Sequence, residues 1–396
     1  MRFCRLFLSA TLLMLTSHAR ATEVGFWTPC DSLHAQFTTI PEYHGTFNAP
    51  YTGENSLSDR NSTRTSFTTT LFCDTSLWRG ASLVLNPEVS AGAGFDGVTG
   101  LAGFSNGEIS RVSTQRPHLY RARSYLQQSF ALSDDTETAE SSANVLGGVR
   151  ARDRFVLSVG TLSALDFFDA NAYTHDPRTQ LLNWSLFTNG AWDYPADARG
   201  YTVGAVAEYI TPDFAVRAGH FAMPKEANGK PLDLQLGKIY GDALEVEQGF
   251  SFAGQPGRLR AMLWRNRADM GNYALAIATA AGSAPDITSV RTPSDKKGWG
   301  LNWEQAINAT LGGFARLGAN DGRTETFAFT EIDRHFSTGL VLQGARWHRQ
   351  QDMVSLAVAI NGLSHDHRDY LAAGGVGFIV GDGRLNYGTE RIVELQ

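Results

Sequence analysis

Between residues 161 and 200 the chain gathers side chains suited to one kind of chemistry, the non-covalent recognition of a polyhydroxylated solute. Asp166, Asp169, Asn171, Asp176 and Arg178 come first, followed by Trp184, Trp192, Asp193 and Arg199. Aromatic faces stack on the apolar side of a sugar ring, and carboxylates, amides and guanidinium groups hydrogen-bond its hydroxyls. The stretch has no clean apolar alternation, so it reads as one long loop folded inward to narrow an enclosed space. A blander reading pairs the charges with one another: Asp176 with Arg178, and Asp193 or Asp197 with Arg199. The loop would then be pinned and nothing more.

A second set lies in 118–130, where Arg121, Arg123 and Tyr125 share one parity and Gln127 continues it. Two arginines facing lipid are costly, which puts that parity on the water side. Arg121 and Arg123 then form a positive rung opposite Asp166, Asp169 or Asp176. Such a transverse field orders water, admits neutral polyols and hinders apolar solutes. The competing reading pairs both arginines with wall acids such as Glu88, which only stiffens the wall. Covalent catalysis finds no support, because candidate serines and histidines without a positioning context carry little weight.

The elements that must hold these groups are strands of period two. Val354, Leu356, Val358 and Ile360 alternate with Ser355, Ala357, Ala359 and Asn361. Leu259, Ala261 and Leu263 oppose Arg258, Arg260 and Trp264. Tyr201, Val203, Ala205, Ala207 and Tyr209 oppose Thr202, Gly204 and Glu208. This period gives each strand one oily and one hydrophilic face. Strands are predicted at 63–73, 81–90, 118–130, 153–160, 201–210, 213–223, 242–252, 257–266, 297–306, 311–318, 325–333, 336–347 and 352–361. Turn residues separate neighbours at Thr211-Pro212-Asp213, Gln255-Pro256-Gly257 and Asn320-Asp321-Gly322. Longer polar stretches near 224–240 and 267–296 alternate with these turns, as in an outer-membrane barrel with short turns at one end and long loops at the other. Segments of ten residues match the length of a bilayer-crossing strand. A soluble sandwich or propeller would have shorter strands and would not set Trp78, Tyr201, Tyr209, Trp264 and Trp347 at strand ends like an interfacial girdle.

Composition agrees. A mean hydropathy of −0.21 is too polar for a helical membrane protein and ordinary for a barrel. Residues 1–21 read as an export signal: Arg2 and Arg5, an apolar Leu6–Leu15, then Ala19-Arg20-Ala21 before a cut at Thr22. Loss of Arg2, Arg5 and Arg20 takes the net charge from −6 to −9, against a nucleic-acid partner. No linker divides residues 22–396, so they form one domain. Cys4 leaves with the signal; Cys30 and Cys73 either pair in an oxidising compartment or stay free. Their spacing suggests no metal or redox chemistry, and no cofactor is expected. Near the end, Ser364 and Gly374 bracket a short helix. His365 and His367 would diverge on it rather than ligate a metal.

Several longer runs then become specific. Phe167-Phe168-Asp169-Ala170-Asn171, His175-Asp176-Pro177-Arg178-Thr179-Gln180, Asn183-Trp184 and Gly190-Ala191-Trp192-Asp193-Tyr194 resemble the carbohydrate-selective porin family of OprB type. So do Asn106-Gly107-Glu108, Ala198-Arg199-Gly200-Tyr201-Thr202, Asn320-Asp321-Gly322-Arg323, Phe327-Ala328-Phe329-Thr330-Glu331 and Gly381-Asp382-Gly383, a likeness running from about residue 33 to the end. The resemblance implies an antiparallel transmembrane β-barrel of about sixteen strands, embedded in outer-membrane lipid, that passes sugars by facilitated diffusion. Family members continue beyond the equivalent of Glu390-Arg391-Ile392 into further strand, whereas this chain ends at Leu395-Gln396. The expectation is therefore a C-terminally truncated barrel of fourteen or fifteen strands. Two alternatives to the sugar porin follow, a general or divalent-cation-preferring pore and a nonfunctional remnant. Assembly as monomer or homo-oligomer is open.

Overall fold

The structure, a computed structural model, describes residues 30–50, 52–53, 55–98, 100, 105–109, 116–142, 144–350 and 352–396; the segment read as an export signal lies outside them. In chain order the strands are β1 (Ser32–His44), β2 (Ser62–Trp78), β3 (Ala81–Gly92), β4 (His118–Ala131), β5 (Thr136–Ala139), β6 (Gly148–Ala151) and β7 (Arg154–Leu162). They continue as β8 (Thr202–Ile210), β9 (Phe214–Phe221), β10 (Met223–Pro224), β11 (Leu232–Asp233), β12 (Tyr240–Phe252) and β13 (Gln255–Met270). The last are β14 (Thr292–Ala306), β15 (Leu311–Asn320), β16 (Arg334–Gln343), β17 (Met353–Gly362) and β18 (Glu390–Leu395). Fourteen of them form one antiparallel sheet in chain order, β1-β2-β3-β4-β7-β8-β9-β12-β13-β14-β15-β16-β17-β18. Among the described residues β1 pairs only with β2 and β18 only with β17. Cys30 and Cys73 form a disulfide that ties the start of β1 to β2.

Burial along each strand is inverted relative to a soluble protein. On β17, Val354, Leu356 and Ile360 are 45%, 52% and 43% exposed, whereas Ser355 and Asn361 are fully buried. On β13, Leu259 and Leu263 face out while Arg260, Met262 and Trp264 are buried. An oily outer face with a polar inner one is stable only if the medium outside is lipid, where the outward leucines keep an apolar environment. The ends also differ. Residues 79–80, 211–213, 253–254 and 307–310 make short turns at one end, while 163–201, 222–239, 271–291, 321–333 and 363–389 are long connections at the other.

Several expectations need correction. The segment 325–333 is no strand: Phe327, Phe329, Thr330, Glu331, Ile332 and Asp333 are all buried, so neither parity has a lipid face. The strand expected at 336–347 ends at Gln343 and passes into a helical turn, Gly344–Trp347. In the fourteen-stranded sheet two strands were not anticipated, β1 and β18, and neither were the short pairs β5–β6 and β10–β11 outside it. The turn expected at Gln255-Pro256-Gly257 falls two residues earlier, at Ala253 and Gly254, both with positive φ. Trp264 and Tyr201 point inward instead of joining a girdle, which Trp78 and Tyr209 do occupy on the exposed side. The helix expected after Ser364 is present as α3 (His365–Ala372), with Ser364 Oγ accepting from the His367 N–H and Gly374 at φ +102°. It follows α1 (Trp184–Phe187) and α2 (Tyr273–Thr279).

Candidate functional site

The 163–201 connection folds into the barrel and is stapled there at two carboxylates. Asp169 sits at φ +56°, a conformation that non-glycine residues adopt rarely and Asp tolerates better than most. It accepts from Asn302 Nδ2 at 2.7 Å, the Asn189 N–H at 2.8 Å and Thr188 Oγ1 at 2.9 Å, and pairs with Arg316 Nε at 3.1 Å. Burial would raise its pKa, but the Arg316 guanidinium and these donors outweigh burial and hold it below the ordinary carboxylate value. Asn171 donates to Asn302 Oδ1 at 2.7 Å, and the Asp169 N–H reaches Glu245 Oε2 at 2.8 Å. Asp193 receives the backbone N–H groups of Phe327, Ala328 and Phe329 at 2.7–2.9 Å, joining the buried 325–333 run to the inward loop. Trp184 stacks on Phe329 at 5.3 Å and 8°, its indole N–H donating to the Asn106 carbonyl. Trp192 is fully buried, edge-on to Phe168. These side chains form the packed interior and support the loop from behind.

The other half of the loop reaches across the lumen to β3 and β4. Arg178 donates through Nε to Glu108 Oε1 at 2.6 Å and through Nη2 to Glu88 Oε2 at 3.0 Å, and Nη1 meets Gln36 Oε1 at 3.2 Å. Its neighbour Asp176 accepts from the Arg178 backbone N–H and from Thr179 Oγ1 and forms no ion pair with the Arg178 guanidinium, against one of the two readings. Glu88 also accepts from the hydroxyls of Tyr120 and Tyr201, whose rings lie 5.8 Å apart. Arg199 lies 5.3 Å over Tyr120, Arg123 lies 5.3 Å over Tyr201, and Arg199 pairs with Asp197 as one reading anticipated. Thr68 donates to Glu108. Burial pushes the Glu108 carboxyl up to about 7 against the pull of Arg178, because Glu88 competes for the same guanidinium.

Arg123 forks onto Asp166 with two 2.7 Å bonds and also donates to Asn86, so it pairs with the inward loop rather than with Glu88. Arg121 does not join it. The β3–β4 register shifts at Asn86/Pro87, leaving Ala122 unpaired, and this bulge turns Arg121 to the exposed side while Tyr120 and Arg123 both face in. Proline causes this, since it has no N–H for the ladder. Tyr125 is buried against Phe167.

Sequence reasoning missed Tyr120, Tyr201, Glu88 as a hub, and Glu108. It also missed a wall ladder in which Arg217 bridges Glu208, Glu245 and Glu247, and Arg260 bridges Glu247 and Glu304. The ladder had a readable signal: Glu245/Glu247 and Arg258/Arg260 are period-two charge pairs on adjacent strands.

A lipid-facing antiparallel barrel, lined by charge and narrowed by an inward loop, is a porin of the outer membrane, a channel and not an enzyme. The comparisons agree and give the family: the model described as carbohydrate-selective porin, OprB family, matches residues 59–396, so this chain belongs to that family. No curated protein matches it. Among solved structures, the high-pH structure of Pseudomonas putida OprB is similar at 17% identity over 92% of this chain and 84% of that one, with a TM-score of 0.63, a likeness of fold. The low-pH structure of Pseudomonas putida OprB is 14% identical over 84% of this chain and 78% of that one, with a TM-score of 0.43. The protein is thus an outer-membrane porin of the carbohydrate-selective kind.

Proposed function

We propose that the cluster of Arg178, Glu88, Glu108, Tyr120, Tyr201 and Arg199 is where this porin discriminates sugars from other solutes during passive diffusion. One observation carries the reading: Arg178 leaves the inward loop and is clamped by Glu88 of β3 and Glu108 of the β3–β4 connection, beside a pair of partly exposed tyrosine rings. A sugar passing there replaces lost water with hydrogen bonds to carboxylates and guanidinium groups on one side, and lays its apolar face on phenol rings on the other. The charge of the cluster is nearly balanced, since Arg123 and Arg178 face Asp166, Glu88 and a Glu108 that is part-protonated near neutral pH. Small ions gain little from such a lining, whereas a neutral polyol loses nothing.

The cation-preferring alternative rests on the same pair of carboxylates. Once Glu108 ionises, one of the two acids sharing Arg178 is uncompensated, and the lining carries an extra negative charge. Liposome swelling separates the two readings. Glucose entering faster than amino acids of similar size supports sugar selection; equal rates remove it. Indifference of single-channel current to millimolar glucose, together with a marked cation preference, favours the alternative.

A further inference from the structure

Six connections join neighbouring wall strands at the short-turn end, and one is far longer than the rest. Between β4 and β7, residues 132–142 and 144–153 form a hairpin in which Thr136–Ala139 pairs with Gly148–Ala151. Its base is fixed: the Leu132 N–H donates to the Asp153 carbonyl at 2.8 Å, and Glu137 is held by Arg150 at 2.7 Å and Arg154 at 3.2 Å. Its tip reaches the first strand of the sheet. Ser141 Oγ lies 2.6 Å from His34 Nε2 and donates to Ser32 Oγ at 3.0 Å, while Leu146 packs against the interior cluster that contains Phe72, Val84 and Tyr125.

His34 and Phe72 are directly paired across β1 and β2 and both face the lumen, so the tip lies inside the wall. β1 is three strands from β4, roughly 14 Å at the usual strand spacing, and nine residues of extended chain from Leu132 to Ser141 reach about 30 Å. The hairpin therefore spans the gap with slack. Most of it is solvent-exposed, Val149 to 73%, so it is held by its base and tip and not by a core of its own.

We propose that this hairpin is a strap across the short-turn mouth, which in outer-membrane barrels faces the periplasm, and that it acts as a second size filter in series with the Arg178 cluster. The proposal rests on the pore reading above. Solute that has passed the inward loop must still leave past the strap, which covers the sector between β1 and β4. The filter is steric, because the tip itself contributes one hydroxyl and one leucine to the contact, while the Asp74 carboxylate nearby is taken up by Ser32 of the wall.

The test is planar-bilayer conductance and oligosaccharide swelling for the whole chain and two variants. In one, residues 136–151 are replaced by a two-residue Asn-Gly turn. In the other, Ser141→Ala removes the polar latch and leaves the hairpin in place. Heat-modifiable gel mobility confirms that each barrel folds. Removal of the strap is expected to raise conductance about twofold and admit tri- and tetrasaccharides that the parent excludes, with the glucose concentration for half-block unchanged. Ser141→Ala is expected to give frequent current steps between the two levels. A conducting parent with an unaltered deletion variant overturns the strap alone. A folded parent that conducts nothing overturns the pore reading and the strap with it.

Discussion

The two halves of the inward segment use the same residue types for opposite ends. Around Asp169 and Asp193, every carboxylate oxygen is occupied by buried donors from Arg316, Asn302, Asn189 and the 327–329 backbone, and the partners are at most a few per cent exposed. Around Arg178 and Arg199 the charges are also paired, and the side chains of Arg178, Glu88, Glu108 and Asp197 are only 4–10% exposed; what stays open to the lumen is the Arg199 side chain, 33% exposed, together with the partly exposed rings of Tyr120 and Tyr201. A buried ion pair whose oxygens are saturated is a fastener, since breaking it strands a charge. A paired charge that still touches water can exchange one partner for a passing hydroxyl. Accessibility, more than residue identity, separates anchor from selector.

The contrast can be broken most violently at Asp169. Asp169→Ala leaves the fully buried Arg316 uncompensated, at a cost of about 3–5 kcal/mol. The heat-resistant barrel band should weaken or vanish in gel mobility, and a variant as robust as the parent would put Asp169 among the selectors. Asp193→Ala strands three buried N–H groups, at roughly 1–3 kcal/mol for each that water does not re-satisfy. It should free 325–333 to protease cleavage, read by limited trypsin digestion, while the barrel still forms.

Across the lumen the effects should fall on transport instead. Arg178→Gln is expected to weaken the single-channel glucose block by about tenfold, ~1.4 kcal/mol, with mobility on gels preserved. Lost folding with selectivity intact would place Arg178 with the anchors. The smallest expected effect is on pH. Glu108 is protonated and neutral below about 7 and negative above it. Reversal potentials in a salt gradient should thus show cation preference rising as pH passes upward through 7, and Glu108→Gln should flatten that rise. A parent with no such rise would mean that the Arg178 clamp keeps Glu108 in one state.

Much of the wall was legible. Twelve of the thirteen predicted strands are present, because lipid outside and charge inside impose one parity over ten residues, as on β13 and β17. The failures have local causes. The run 325–333 alternates in sequence, but Asp193 draws its backbone into the interior, a contact between residues more than 130 apart. Arg121 has the correct parity on paper and loses it to a single bulge opposite Pro87. Tyr201 shares parity with Val203, yet it precedes the first strand residue and follows Gly200 at φ +98°, so its ring turns inward to Glu88.

By itself, the order of residues determined a membrane-spanning antiparallel wall and a long polar, charge-rich segment to go with it. It did so because period-two hydrophobicity and turn residues act locally along each strand. Only the tertiary structure decided which carboxylate took which arginine. Asp166 went to Arg123, Asp169 to Arg316, and Glu88 with Glu108 to Arg178. Such pairings depend on how far a folded loop reaches across the lumen, and desolvation there makes each pairing exclusive.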